Sequence, residues 1–200
     1  MIVESGNRNR IKNRLRSLRS SAGFTMMEML IGLAIISIAF GTIYKSFEQL
    51  NRSTATENVK AGVQQAARIA VDFMVQDIRL AGLNPLGSPG IGIKAATAES
   101  IQFSMDANFD GDDADTFETI TYTFNSGNGT LMQLNPPLDP EILIDSVSDL
   151  NFTYLDTDDQ TTANLNEIRS VVISLTMQRP AGRDEDVSRT YTTRVRCRNL

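Results

Sequence analysis

The stretch from Met26 to Tyr44 constrains this chain most. Its nineteen residues carry one charge, Glu28. At ~1.5 Å of rise per helical residue the run reaches ~28 Å, close to the hydrocarbon thickness of a bilayer. Immediately before it lie Arg8, Arg10, Lys12, Arg14, Arg16 and Arg19, against one acidic residue, Glu4. Basic residues flanking a spanning helix stay on the cytoplasmic side, so the N-terminus is expected inside and everything after Tyr44 outside. A carboxylate in such a run costs roughly 2.5–3.5 kcal/mol on insertion scales, so Glu28 calls for a partner. A cut between Gly23 and Phe24 would give Phe24 a free amine and make Glu28 the fifth residue of the new chain. A carboxylate there suits a helix N-terminus and can pair with an amine on a neighbouring subunit.

Gly23-Phe24-Thr25-Met26-Met27-Glu28-Met29-Leu30, after a short basic leader, resembles the class III signal of type IV prepilins and of the pseudopilins of type II secretion. The resemblance implies cleavage after Gly23 by a prepilin peptidase, N-methylation of Phe24, and a role for Glu28 in docking the subunit into a filament. It implies other pilin or pseudopilin subunits and the inner-membrane assembly platform as partners. The expected location is the bacterial inner membrane, single-pass, with the N-terminus cytoplasmic and the body periplasmic, and the pilus at the cell surface after assembly. A signal anchor with a stray Glu is the plainer alternative. A secretory signal peptide fits less well, because it places the small residue after a shorter apolar core.

Two hundred residues suffice for an anchor and one domain. Beyond residue 23 the chain holds thirteen basic and twenty-three acidic residues, a net charge of −10. An acidic exported body argues against non-specific nucleic-acid binding, which needs a basic face, so no nucleic-acid partner is expected. Arg194, Arg196 and Arg198 alternate along an expected strand and read as a solvated face or a contact for an acidic partner rather than a nucleic-acid site. The absence of His removes Ser-His-Asp and Cys-His pairs and most zinc sites, and no enzyme is expected. Cys197 stands alone, so no intramolecular disulfide closes the body, and it reads as an incidental thiol.

The chain divides into a basic leader, 1–23, a transmembrane half of a spine helix, 24–45, an amphipathic half, 46–82, and a β domain, 83–200. The helix is expected from Phe24 to about Ala81, ending at Gly82-Leu83-Asn84-Pro85, a Gly stop followed by Pro. Its second half carries Val63, Ala66, Ala67, Ala70, Phe73, Met74, Asp77, Ile78 and Ala81 at helical spacing, a stripe to pack on a sheet. Residues 83–98 read as a Gly/Pro loop. Strands are expected at Ser100–Ser104, Phe117–Phe124, Thr130–Leu134, Ile142–Ile144, Val147–Leu155, Ile168–Met177 and Arg189–Arg198, with a hairpin turn at 125–129. The fold class is therefore α+β and pilin-like: a long N-terminal helix, its first half transmembrane, packed on a C-terminal antiparallel β-sheet.

The helix end from Phe73 to Pro85, Glu118–Phe124, Asp149–Asp156 and Arg198-Asn199-Leu200 are similar to PilW-type minor pilins, which share this plan with minor pseudopilin J of type II secretion. That resemblance implies a minor pilin acting in pilus initiation or at the tip. The alternatives are a minor pseudopilin, an adhesive tip module and, least in keeping with the residues, a membrane-anchored enzyme.

Residues 106–118 read Asp-Ala-Asn-Phe-Asp-Gly-Asp-Asp-Ala-Asp-Thr-Phe-Glu. Asp106, Asn108, Asp110 and Gly111 match the first half of an EF-hand loop, in which alternate oxygens converge on one hard cation. The twelfth position is Phe117, and Glu118 comes one residue late. Two readings stand: a calcium (Ca2+) site built from Asp106, Asn108, Asp110 and Asp112 and completed by Asp115 or Glu118, or a solvated acidic turn. The Asp156–Asp159 cluster lacks the Asn/Gly framework and reads as a turn.

Overall fold

A computed structural model describes residues 23–181 and 186–200. Residues 1–22 of the leader lie outside the described residues. Two compact units divide the chain, Met1–Leu50 and Asn51–Leu200.

In the first unit the described residues are 23–25 and the start of helix α1 (Met26–Leu80). From Gly23 to Leu50 every residue is exposed apart from the half-buried Gly32. Leu30, Ile31, Leu33, Ile35, Ile36, Ile38, Phe40 and Ile43 all stand at more than half of their full exposure. A helix apolar on every side finds cover in lipid or among other such helices. By length and composition α1 is able to cross a membrane.

The second unit holds the rest of α1 and eight strands: β1 (Ile93–Ala96), β2 (Ser100–Ser104), β3 (Thr119–Asn125), β4 (Thr130–Leu134), β5 (Glu141–Ile144), β6 (Val147–Leu155), β7 (Ser170–Pro180) and β8 (Asp186–Arg196). They form two antiparallel sheets rather than one, a meander β1-β2-β3-β4-β5 and a three-stranded β6-β7-β8. Fold class and order agree with the sequence reading: one long N-terminal apolar helix, then antiparallel β structure on which its later part packs. The stripe Val63, Ala67, Ala70, Val71, Met74 and Ile78 joins the inward faces of both sheets in one core.

That stripe corrects one assignment. Phe73 is 44% exposed and Val71 fully buried. At about 100° per residue Phe73 falls about 110° from the stripe's centre, too far for its size to bring it in.

Alternation places the strands. Ile120, Tyr122 and Phe124 are buried on β3, and Val171, Ile173, Leu175 and Met177 on β7, with partly exposed or exposed residues between them. A register shift between Val147 and Asp149 lets Val147 and Leu150, three apart, face the same core. Two positions depart from expectation. Residues 93–96, read as loop, form edge strand β1 on β2. Phe117, read as the first strand residue, sits before β3 with φ 70° and its ring 57% exposed.

Side chains and backbone tie the sheets together. Tyr154 on β6 donates its hydroxyl to the carbonyls of Thr97 and Ser100 at 2.8 and 3.0 Å, in the turn between β1 and β2. The Phe152 N–H donates to Ala98 at 2.8 Å and that of Val147 to Gly129 at 2.9 Å. Gly129, at φ 65°, has no room for a side chain there, since a Cβ would lie 2.9 Å from the Val147 carbonyl oxygen.

Candidate functional site

Two groups of sequence-predicted residues are fixed by local chemistry. The first is the N-terminus of α1. The Thr25 N–H and hydroxyl both donate to Glu28 Oε2, at 2.8 and 2.9 Å, and the Glu28 N–H donates back to Thr25 Oγ1 at 3.2 Å. Thr25 is thus the N-cap and Glu28 the third helical residue of a capping box, which satisfies two amides that a helix start leaves without intrahelical partners. Carboxylate charge at this end also opposes the positive pole of the helix dipole. Both bonds use Oε2, and among the described residues Oε1 accepts none. Phe24, directly before the cap, is 84% exposed, and Gly23 precedes it in irregular backbone. Gly23, Phe24 and Glu28 therefore lie together at one helix end, each exposed among the described residues.

The second group is the loop between β2 and β3. Here a chain of side-chain turns winds the backbone: Asn108 Oδ1 accepts from the Asp110 N–H at 3.0 Å, Asp110 Oδ1 from Asp112 at 3.1 Å and Asp112 Oδ1 from Ala114 at 2.9 Å. Asp106 Oδ2 accepts from Gly111 at 3.1 Å. Gly111 holds φ 93°, a conformation open to glycine at no steric cost. Glu118 folds back over the loop's start. Its Oε1 accepts from the N–H groups of Ala107 and Asn108 at 3.0 and 3.3 Å, and its Oε2 from Asp115 at 3.2 Å.

Of the six residues singled out in sequence, Asp106, Asp110 and Glu118 come together, one carboxylate oxygen of each lying within 4.8 Å of the others. Asn108 stands beside them, its amide donating to Asp110 at 2.9 Å and to Asp115 at 2.7 Å. Asp112 and Asp115 are outside that trio; Asp112 Oδ1 accepts from the Ala114 N–H. Glu118 reaches the trio although counting puts it one residue late. The left-handed backbone of Phe117 turns that ring out to solvent and Glu118 in, leaving Glu118 1% exposed. A sequence signal existed: Glu118 shares parity with Ile120, Tyr122 and Phe124, the buried face of β3. Asp113, not singled out, pairs with Lys94 of β1.

Elsewhere, Cys197 is buried and its thiol is pushed up to about 11 by desolvation. Arg194 pairs with Asp159 and donates to Ser170 Oγ at 3.1 Å. Asp156 Oδ1 caps the turn at Asp158 and Gln160, both at 2.9 Å.

A capped helix start preceded by Gly-Phe leads into an apolar segment that is exposed among the described residues, an arrangement consistent with a membrane-anchored subunit. Residues 18–44 match the family model described as the prokaryotic N-terminal methylation motif. The helix start and the apolar segment after it thus carry that motif. Among solved structures it is similar to a type IV-like pilin from Thermus thermophilus, at 10% identity and a TM-score of 0.46, over 68% of this chain and 97% of that one. Comparison with curated proteins found no match.

Proposed function

We propose that this chain is a minor pilin that helps to initiate or cap a type IV pilus. Prepilin peptidase cleaves it after Gly23 and Phe24 is N-methylated. Until assembly it sits in the inner membrane through the start of α1, with the N-terminus cytoplasmic and the β domain periplasmic; the inner-membrane platform then moves it into the filament. The observation that carries this reading is the methylation motif, which spans Gly23, Phe24 and Glu28 and runs into an apolar segment exposed among the described residues. The capping box belongs wholly to the mature chain, so cleavage leaves it intact. In it Glu28 holds its own helix start through Oε2 and offers Oε1 to the Phe24 amine of a neighbouring subunit. The acidic body and the lack of His favour a structural role.

The test is Glu28→Ala in the native host. The variant is expected in the membrane fraction at normal level but depleted from sheared filaments. Normal incorporation would contradict the role given to Glu28. Deleting the gene should abolish or reduce piliation; loss of protein secretion with pili intact would move the chain to the type II secretion pseudopilins.

A further inference from the structure

Asp106 and Glu118 are carboxylates taken almost wholly out of water, 0% and 1% exposed. Together with the exposed Asp110 each offers an oxygen within 4.8 Å of the other two. Among the described residues no Lys or Arg pairs with any of the three. Asp106 adds a second observation. Its Oδ2 is held by the Gly111 N–H, but its Oδ1 is fully buried and accepts no hydrogen bond. A buried carboxylate oxygen without a donor, beside two further carboxylates, lacks the positive charge or donor that buried polar groups require. The donor atoms brought together are all carboxylate oxygens on a short loop, with the Asn108 side chain hydrogen-bonded to Asp110 beside them. That set suits a hard cation, and its irregular spacing suits calcium, which accepts flexible coordination, over magnesium, which demands a near-ideal octahedron.

We propose that Asp106, Asp110 and Glu118, assisted by Asn108, bind one calcium ion. The ion would lock the 106–118 loop to the segment that ends α1. The Asp106 N–H already donates to the Leu83 carbonyl at 2.8 Å, and the Met105 N–H to Glu118 at 2.8 Å. One cation at Asp106 therefore ties the end of the helix, the exit of β2 and the entry to β3. The proposal is independent of the pilus assignment, since it rests only on the loop.

The experiment is isothermal titration of the full chain in detergent with calcium chloride. The expected result is one site with a Kd on the order of 10⁻⁴ to 10⁻³ M, the range of extracellular calcium modules. Glu118→Gln should abolish binding. Because Glu118 also holds three backbone amides, Asp110→Asn is the cleaner variant: its carboxylate is exposed, so circular dichroism should be unchanged while affinity falls ~10-fold or more. Asp158→Asn, in the other acidic turn, should bind as wild type does. No calcium-dependent heat at millimolar calcium, equal binding by wild type and Asp110→Asn, or equal affinity for magnesium would each overturn the assignment.

Discussion

The Tyr122 hydroxyl on β3 donates to Asp77 Oδ2 on α1 at 2.5 Å, and the Gln133 amide of β4 reaches both partners, at 3.3 and 3.2 Å. Tyr122 is fully buried and Asp77 half-buried, so this bond fixes the helix on the first sheet through a charged acceptor. Tyr122→Phe removes the donor and leaves the ring. Hydrogen bonds to charged groups contribute about 1.5–3 kcal/mol, and a loss of that size is expected in urea unfolding of the detergent-solubilised chain.

The same pair gives a pH dependence. Burial raises the Asp77 carboxyl above its ordinary value of 3.8, and the Tyr122 hydrogen bond opposes that rise only in part. Between 3.8 and the raised value the folded chain binds more protons than the unfolded one, so Asp77 makes stability fall as pH rises through that window. Asp77→Asn keeps an acceptor for Tyr122 and removes the titration. Its stability relative to wild type should therefore rise with pH across the window and level off above it. A difference that stays flat with pH would contradict the assignment.

Gly82 stops α1 with φ 78°, and a Cβ there would run into the Leu200 side chain. Gly87 has a similar φ, 71°, with open space around it. Gly87→Ala should cost roughly 1–2 kcal/mol, the left-handed penalty alone. Gly82→Ala should cost clearly more, since it also dislodges Leu200. Thermal unfolding of the two variants side by side measures the Leu200 contact.

Cys197 should resist thiol reagents. Burial moves its thiol from 9.0 to about 11, which lowers the thiolate fraction at pH 8 by about a hundredfold before access is considered. Labelling should be slow in the folded chain and fast in denaturant; fast labelling without denaturant would contradict the burial.

Much of this was legible because it is periodic. The period of two in Ile120-Tyr122-Phe124 and in Val171 to Met177 marked β3 and β7, and the Gly-Pro sequence after Ala81 marked the end of α1. What was not legible depends on distant or non-periodic contacts. β1 has one large apolar residue, Ile93, and is a strand only because β2 offers it an edge. Asp77 was read on an apolar stripe, but its partner Tyr122 lies 45 residues away. Glu118 joins Asp106 and Asp110 because Phe117 adopts a backbone that a bulky side chain rarely takes, which no residue count anticipates. Cys197 near Arg198 gave no sign of burial until β8 was placed in register with β7.

The central claim is that Gly23–Phe24 is a processing site at the head of a membrane helix. Mass spectrometry of the chain expressed with and without a prepilin peptidase tests it most directly. A peptidase-dependent loss of residues 1–23 and one added methyl group on Phe24 are expected. An intact Met1 terminus under both conditions would contradict it.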